Sequence, residues 1–123
     1  MIRTNLLAGA CLALLAGCAS QPQSLYHWGA YPAVQYAYFK GDKGPEEGIL
    51  ALEKVREEAK AQGRALPPGL QAHLGLLYGM TGRGDLFEQN LLAEKQSFPE
   101  SSVYLDFLLK QKTPGGEKAQ GAK

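Results

Sequence analysis

The 123-residue chain is poor in the residue types that build metal sites and redox chemistry: it has two cysteines, two histidines, two methionines and one tryptophan. Two cysteines cannot make a multi-disulfide scaffold or a four-thiolate zinc site. Charge of one sign is also missing, since 13 Lys and Arg face 12 Asp and Glu. That balance excludes the basic excess expected of a nucleic-acid binder. The patterns H-x-x-x-H, C-x-x-C, H-E-x-x-H and G-x-S-x-G are absent, as are a phosphate-cradling loop and a dinucleotide glycine fingerprint. No metal, no cofactor and no nucleophilic enzyme chemistry is therefore expected. What remains is an ordinary globular composition, 45% apolar and 20% charged, with room for one small domain.

Residues 1–17 read as a signal peptide. Arg3 precedes about a dozen apolar and small residues, too short a run for the ~20 needed to cross a bilayer. Leu15-Ala16-Gly17-Cys18 resembles the bacterial lipobox, in which the cysteine is acylated and becomes the mature N-terminus. Cys18 is thus the expected lipid-attachment site, and Cys11 leaves with the peptide. Loss of Arg3 leaves basic and acidic residues equal in number, so the anchor would be the covalent lipid and not attraction to anionic headgroups. The residue after the cysteine is Ala19, not the Asp that would resemble an inner-membrane retention signal. The expected destination is the outer membrane, on its periplasmic face.

The mature chain divides into a lipidated tether, 18–24, a folded domain, 25–112, and a tail, 113–123, that lacks apolar periodicity and is expected to be disordered. Within the domain, turn residues cut the chain into helix-length pieces. Pro45 suits a helix start, and Ile49, Leu52, Val55 and Ala59 then recur at helical spacing until Gly63. Pro67-Pro68 restarts a helix with the stripe Leu70, Leu74, Leu77 and Tyr78. Gly84 or Asp85 opens another that carries Phe87, Leu91 and Leu92. Ser101 is a candidate N-cap for a last helix with Tyr104, Leu105, Leu108 and Leu109. Between 25 and 40, Trp28, Tyr31, Val34 and Tyr38 fit one helix face from Pro32 onward. Val34, Tyr36 and Tyr38 also alternate as in a strand, but a lone strand would have no partner, so helix is expected.

The fold expected is all-α, four to five helices in antiparallel helix-turn-helix pairs. From Pro68 to Ser101 the spacing fits a degenerate tetratricopeptide repeat: Leu74-Gly75 and Tyr78 in the first helix, a Gly84-Asp85 turn, and Pro99 at the close. Gln71 stands where that repeat has Trp, and Phe87 and Glu94 where it has small residues. A simple helical bundle with a chance L-G-x-x-Y is the alternative. On the repeat reading, residues 101–111 would cap one end, and the aromatic first helix would leave the other end partly uncovered.

Few residues carry candidate chemistry. His73 reads as a semi-exposed structural residue, and His27 has no ligand-like neighbour at helical spacing. Glu46-Glu47 and Glu57-Glu58 read as solvated or first-turn acids. The unusual feature is aromatic: Tyr26, Trp28, Tyr31, Tyr36, Tyr38 and Phe39 are six of the eleven rings in the chain. They can be core, a protein-partner interface, or an edge buried in the membrane interface beside the anchor. The candidate partner interface comprises Tyr26, Trp28, Tyr31, Tyr36 and Tyr38.

Leu25-Tyr-x-Trp-Gly-x-Tyr31, Pro67-Pro-Gly-Leu-x-Ala-His-Leu-Gly-x-Leu-Tyr78, Phe98-Pro-Glu-Ser101 and Leu108-Leu-Lys110 together resemble the domain-of-unknown-function 4810 family. The resemblance implies a small periplasm-facing, tetratricopeptide-like lipoprotein. Members are often encoded beside a lipoprotein similar to the curli secretion channel component. It brings no catalytic residues. The expected function is a non-enzymatic interaction or assembly factor in the cell envelope, with other envelope lipoproteins as partners. The alternative is an envelope protein that binds or cleaves a ligand or glycan with the aromatic cluster and a carboxylate.

Overall fold

The computed structural model describes residues 22–111, together with Ile2. Apart from Ile2, the expected signal peptide lies outside the described residues, as do Cys18, most of the tether and the tail 113–123. Within residues 22–111 five α-helices follow in order: α1, Tyr31–Lys40; α2, Pro45–Ala61; α3, Leu70–Met80; α4, Gly84–Ser97; and α5, Ser102–Lys110. A single 3-10 turn, Pro99–Ser101, joins the last two. Among the described residues the fold is all-α, and its one β-type contact is a parallel bridge from Tyr26 to Ala65.

Local chemistry accounts for most boundaries. Pro45 occupies the first turn of α2, with Glu46 and Glu47 at the positive end of the helix dipole. Past the C-terminus of α2, Gly63 adopts φ +61°, and the Arg64 N–H turns back to the Ala59 carbonyl at 2.9 Å. The helix buries Ile49, Leu52, Val55 and Ala59, the stripe read from the sequence. α3 starts at Leu70, two residues after the prolines, because Gly69 sits in the left-handed region at φ +89°. Ser101 does not cap α5 with its hydroxyl: the Oγ donates to the Phe98 carbonyl at 2.6 Å and so stabilises the 3-10 turn.

The helices pack as pairs in an arrangement compatible with tetratricopeptide-like stacking. One cluster joins Tyr31 of α1, Ile49, Leu52 and Val55 of α2, and Leu70, Leu74, Leu77 and Tyr78 of α3. A second joins Phe87 and Leu91 of α4 to Leu105 of α5, with Ala72, Leu76, Leu108 and Leu109 against it. Each fully buried leucine contributes about 1.5–3 kcal/mol of desolvation. α3 and α4 make the closest pair, and Gly75 allows it: a Cβ there would lie 2.5 Å from Leu91 Cδ1 and 3.1 Å from the Phe87 carbonyl oxygen.

A chain of polar groups inside this frame is paired across helices. Tyr78 of α3 donates its hydroxyl to Glu53 of α2 at 2.7 Å. Glu53 in turn accepts from Arg56, which also donates to the buried Asn90 of α4. Burial first, and then the hydrogen bond to Glu53, push the Tyr78 hydroxyl above its ordinary pKa.

Candidate interaction surface

The aromatic residues singled out from the sequence are distributed over the first third of the domain, not gathered into one patch. Tyr31 belongs to the core, 3% exposed, and its hydroxyl accepts from Gln35 Nε2 at 2.8 Å. Burial first, then the negative charge of Glu94, raise its pKa. Trp28 stacks on Tyr31 with planes 13° apart and stays 43% exposed. Tyr26 is half-buried, edge-on to both Trp28 and Phe98. Tyr36 projects outward beneath the Lys40 ammonium, 5.4 Å from the ring centroid. Tyr38 packs edge-on against His73 at 4.9 Å, while its neighbour Phe39 is almost fully exposed.

His73 is a correction to the sequence reading. It is buried, not semi-exposed, because Tyr31 and Tyr38 of α1 close over it from the side that helical spacing within α3 cannot show. Its Nε2 has no hydrogen-bond partner, and burial holds its pKa below the usual 6.5. His27 pairs with Glu58 at 3.0 Å. Glu46 and Glu47 are exposed on the first turn of α2, as expected.

Two concavities border the aromatic segment. A groove of about 280 Å³ opens between α1 and α2, lined chiefly by Ala33, Val34, Ala37, Gly48 and Ala51, with Tyr38 the one candidate ring beside it. The Lys43–Glu47 ion pair, at 3.6 Å, borders the same groove. A shallower trough of about 440 Å³ runs between the N-terminal segment and the end of α4, bordered by Leu25, Tyr26, Leu66 and Phe98. Among the described residues, no cluster of three His, Cys, Asp or Glu side chains could hold a metal ion, and no helix is long and apolar enough to cross a membrane.

A further surface was not singled out from the sequence. α5 turns Leu105, Leu108 and Leu109 towards the core, while Val103, Tyr104 and Phe107 face outward, Val103 at 87% exposure. Leu92 of α4, one of the apolar residues that marked this helix in the sequence, is also exposed. The last helix therefore does not close the stack with a polar outer face, as a cap would. The signal was present in the sequence: residues 103–109 are apolar on both sides of the helix except at Asp106, which marks a helix with two faces to cover.

Neither the curated proteins nor the solved structures contain a match to this chain. The model of the Domain of unknown function (DUF4810) matches residues 25–108, from the first aromatic residues to the last helix, and the chain belongs to that family.

Proposed function

We propose that the protein is a lipid-anchored, non-enzymatic interaction and assembly factor of the bacterial cell envelope. It is held through Cys18 at the periplasmic face of the outer membrane. Its partners are other envelope lipoproteins, with a curli-channel-like component among them, and it needs no cofactor beyond its covalent lipid. The observation that carries this reading is the outer face of α5. Helical arrays bury each apolar face against the next element, and Val103, Tyr104 and Phe107 present such a face without a covering element among the described residues. Exposed aromatic residues of this kind are the usual anchors of protein interfaces.

The test is in-cell photo-crosslinking with a photo-reactive phenylalanine analogue in place of Phe107 or of Phe39. A discrete envelope lipoprotein captured at position 107, and lost on Tyr104→Ser, supports the reading. Trp28 is less suitable for the purpose, because its stack on Tyr31 links any truncation there to the core. A folded protein without a stoichiometric partner would instead favour the ligand- or glycan-binding alternative. Mass spectrometry of the mature N-terminus checks the anchor separately, through acylation of Cys18.

A further inference from the structure

The N-terminal segment is bonded to the body of the domain, and this limits how far the domain can stand from its anchor. Arg64, just past α2, donates from Nη2 to the Ser24 carbonyl at 2.6 Å and to the Tyr26 carbonyl at 2.8 Å. The His27 N–H donates to the Ala65 carbonyl at 2.9 Å, and the His27 ring bonds Glu58. Ser24 is thus a fixed point of the folded unit. Six residue steps separate it from Cys18, which at full extension reach no more than about 21 Å. A domain of this size is roughly 30 Å across. If Cys18 carries the lipid, the edge around Ser24 is kept within about 21 Å of the bilayer surface, less than the width of the domain, which makes it the edge nearest the membrane for contact.

The side chains at that edge are suited to the position. Leu25 is 73% exposed, and the trough beside it is bordered by Tyr26, Leu66 and Phe98 without a charged residue. Trp28 continues the patch, its ring edge-on to Tyr26 at 6.3 Å and partly in solvent. Arg64, the nearest guanidinium, is occupied by backbone carbonyls. Rings with one apolar body and one polar tip partition to the headgroup level of a bilayer. We infer that Leu25, Tyr26 and Trp28 form a seat on the lipid surface, which sets the orientation of the domain on its membrane. This inference rests on the anchor at Cys18 proposed above. The occupant of the patch is the bilayer itself, recognised by apolar contact and independent of anionic headgroups.

Trp28 is the only tryptophan in the chain, so its emission reports on the seat alone. The experiment uses the full lipidated protein in phosphatidylcholine vesicles that contain brominated phosphatidylcholine. The bromine is placed either near the headgroup end of the acyl chain or near its terminal methyl. The expected result is at least twofold quenching of Trp28 by the shallow bromines, with weaker quenching by the deep ones. Leu25→Glu, at an exposed position that leaves the fold intact, should keep flotation with the vesicles and remove most of the quenching. Vesicle-bound protein with unquenched Trp28 emission would overturn the seat while leaving the anchor in place. A blue shift without quenching would assign the trough to the anchor's own acyl chain, and would also overturn it. Failure of the protein to float with vesicles at all would instead remove the anchor, and the seat with it.

Discussion

The carboxylate of Glu94, on α4, accepts the backbone N–H of Gly69, at the start of α3, with an Oε1 distance of 2.6 Å. Its other oxygen accepts from the Gln71 and Ala72 N–H groups at 3.1 and 3.3 Å. A helix begins with four N–H groups that have no intrahelical acceptor, and a side chain at the N-cap commonly takes one. Gly69 has no side chain to offer, so the neighbouring helix supplies the acceptor. The negative charge also meets the positive end of the α3 dipole. The carboxylate is buried, 2% exposed, so truncation strands several donors away from water. Glu94→Ala should therefore destabilise the fold by about 3 kcal/mol. Glu94→Gln, which keeps one acceptor oxygen but turns an amide NH2 towards donors, should destabilise it by roughly half as much. Urea midpoints of the two variants check this, and equal midpoints for wild type and Glu94→Ala would refute it.

Two glycines in helices make a contrasting pair. At Gly75 a Cβ would meet the Phe87 carbonyl oxygen at 3.1 Å as well as Leu91 at 2.5 Å. The backbone of α4 cannot yield, so Gly75→Ala should destabilise by about 1–3 kcal/mol through separation of α3 from α4. At Gly48 the Cβ would meet only side chains, Leu77 Cδ1 at 2.8 Å and Val34 at 3.6 Å. Leu77 borders the groove between α1 and α2 and can move into it. Alanine also gains roughly 1 kcal/mol of helix propensity over glycine. Gly48→Ala should come out near neutral, and thermal denaturation of the two variants side by side separates the cases.

These positions show which parts of the fold were legible in the sequence. The α2 stripe and the α3 leucines were, because a face buried along its full length leaves a clean helical period. Leu92 and Tyr104 marked their helices in the sequence but are exposed in the fold, for a geometric reason. Each adjoins a residue that does face the core, Leu91 and Leu105, and neighbours on a helix point about 100° apart. Glu94 was visible only as a departure from a small residue, since its partners lie more than 20 residues away in the chain. The Arg64 clamp on Ser24 and Tyr26 was invisible for the same reason: it depends on a contact that no local pattern encodes. The aromatic segment was conspicuous, but composition alone could not separate Tyr31 in the core from Tyr36 in solvent.

His73 makes the stability of the domain depend on pH in a defined direction. Its imidazole lies between the Tyr31 and Tyr38 rings with Nε2 unpartnered, and burial holds its folded-state pKa below the ordinary 6.5. The unfolded chain thus binds a proton that the folded chain resists. The stabilisation due to the neutral ring is fully present above the unfolded pKa. It declines as the pH falls below about 6.5 towards the folded value. His73→Leu, close in volume and without a titrating group, should flatten this part of the curve. The check is the difference between wild-type and variant unfolding free energy from pH 8 down to about pH 5. A difference constant across that range would show that the ring titrates alike in both states.

The polar chain from Tyr78 through Glu53 and Arg56 to Asn90 joins three helices, and its geometry requires it to act as a unit. Asn90 is buried and its amide orientation is set at both ends: Oδ1 accepts from Arg56, while Nδ2 donates to the Leu86 carbonyl at 2.8 Å. Arg56 is held on its other side by Glu53, at 3.2 Å to both carboxylate oxygens, and Glu53 is held by the Tyr78 hydroxyl. Removal of either Arg56 or Asn90 leaves the other with an unmet hydrogen-bonding group in a partly dry site. Removal of both strands neither. Arg56→Met and Asn90→Ala should therefore each destabilise by about 1–2 kcal/mol, and the double variant by clearly less than their sum. The expected coupling is about 1 kcal/mol, read from urea unfolding of the four proteins in the cycle. Strict additivity would mean that the two side chains merely lie side by side and that the Arg56–Asn90 contact adds nothing to the link between α2 and α4.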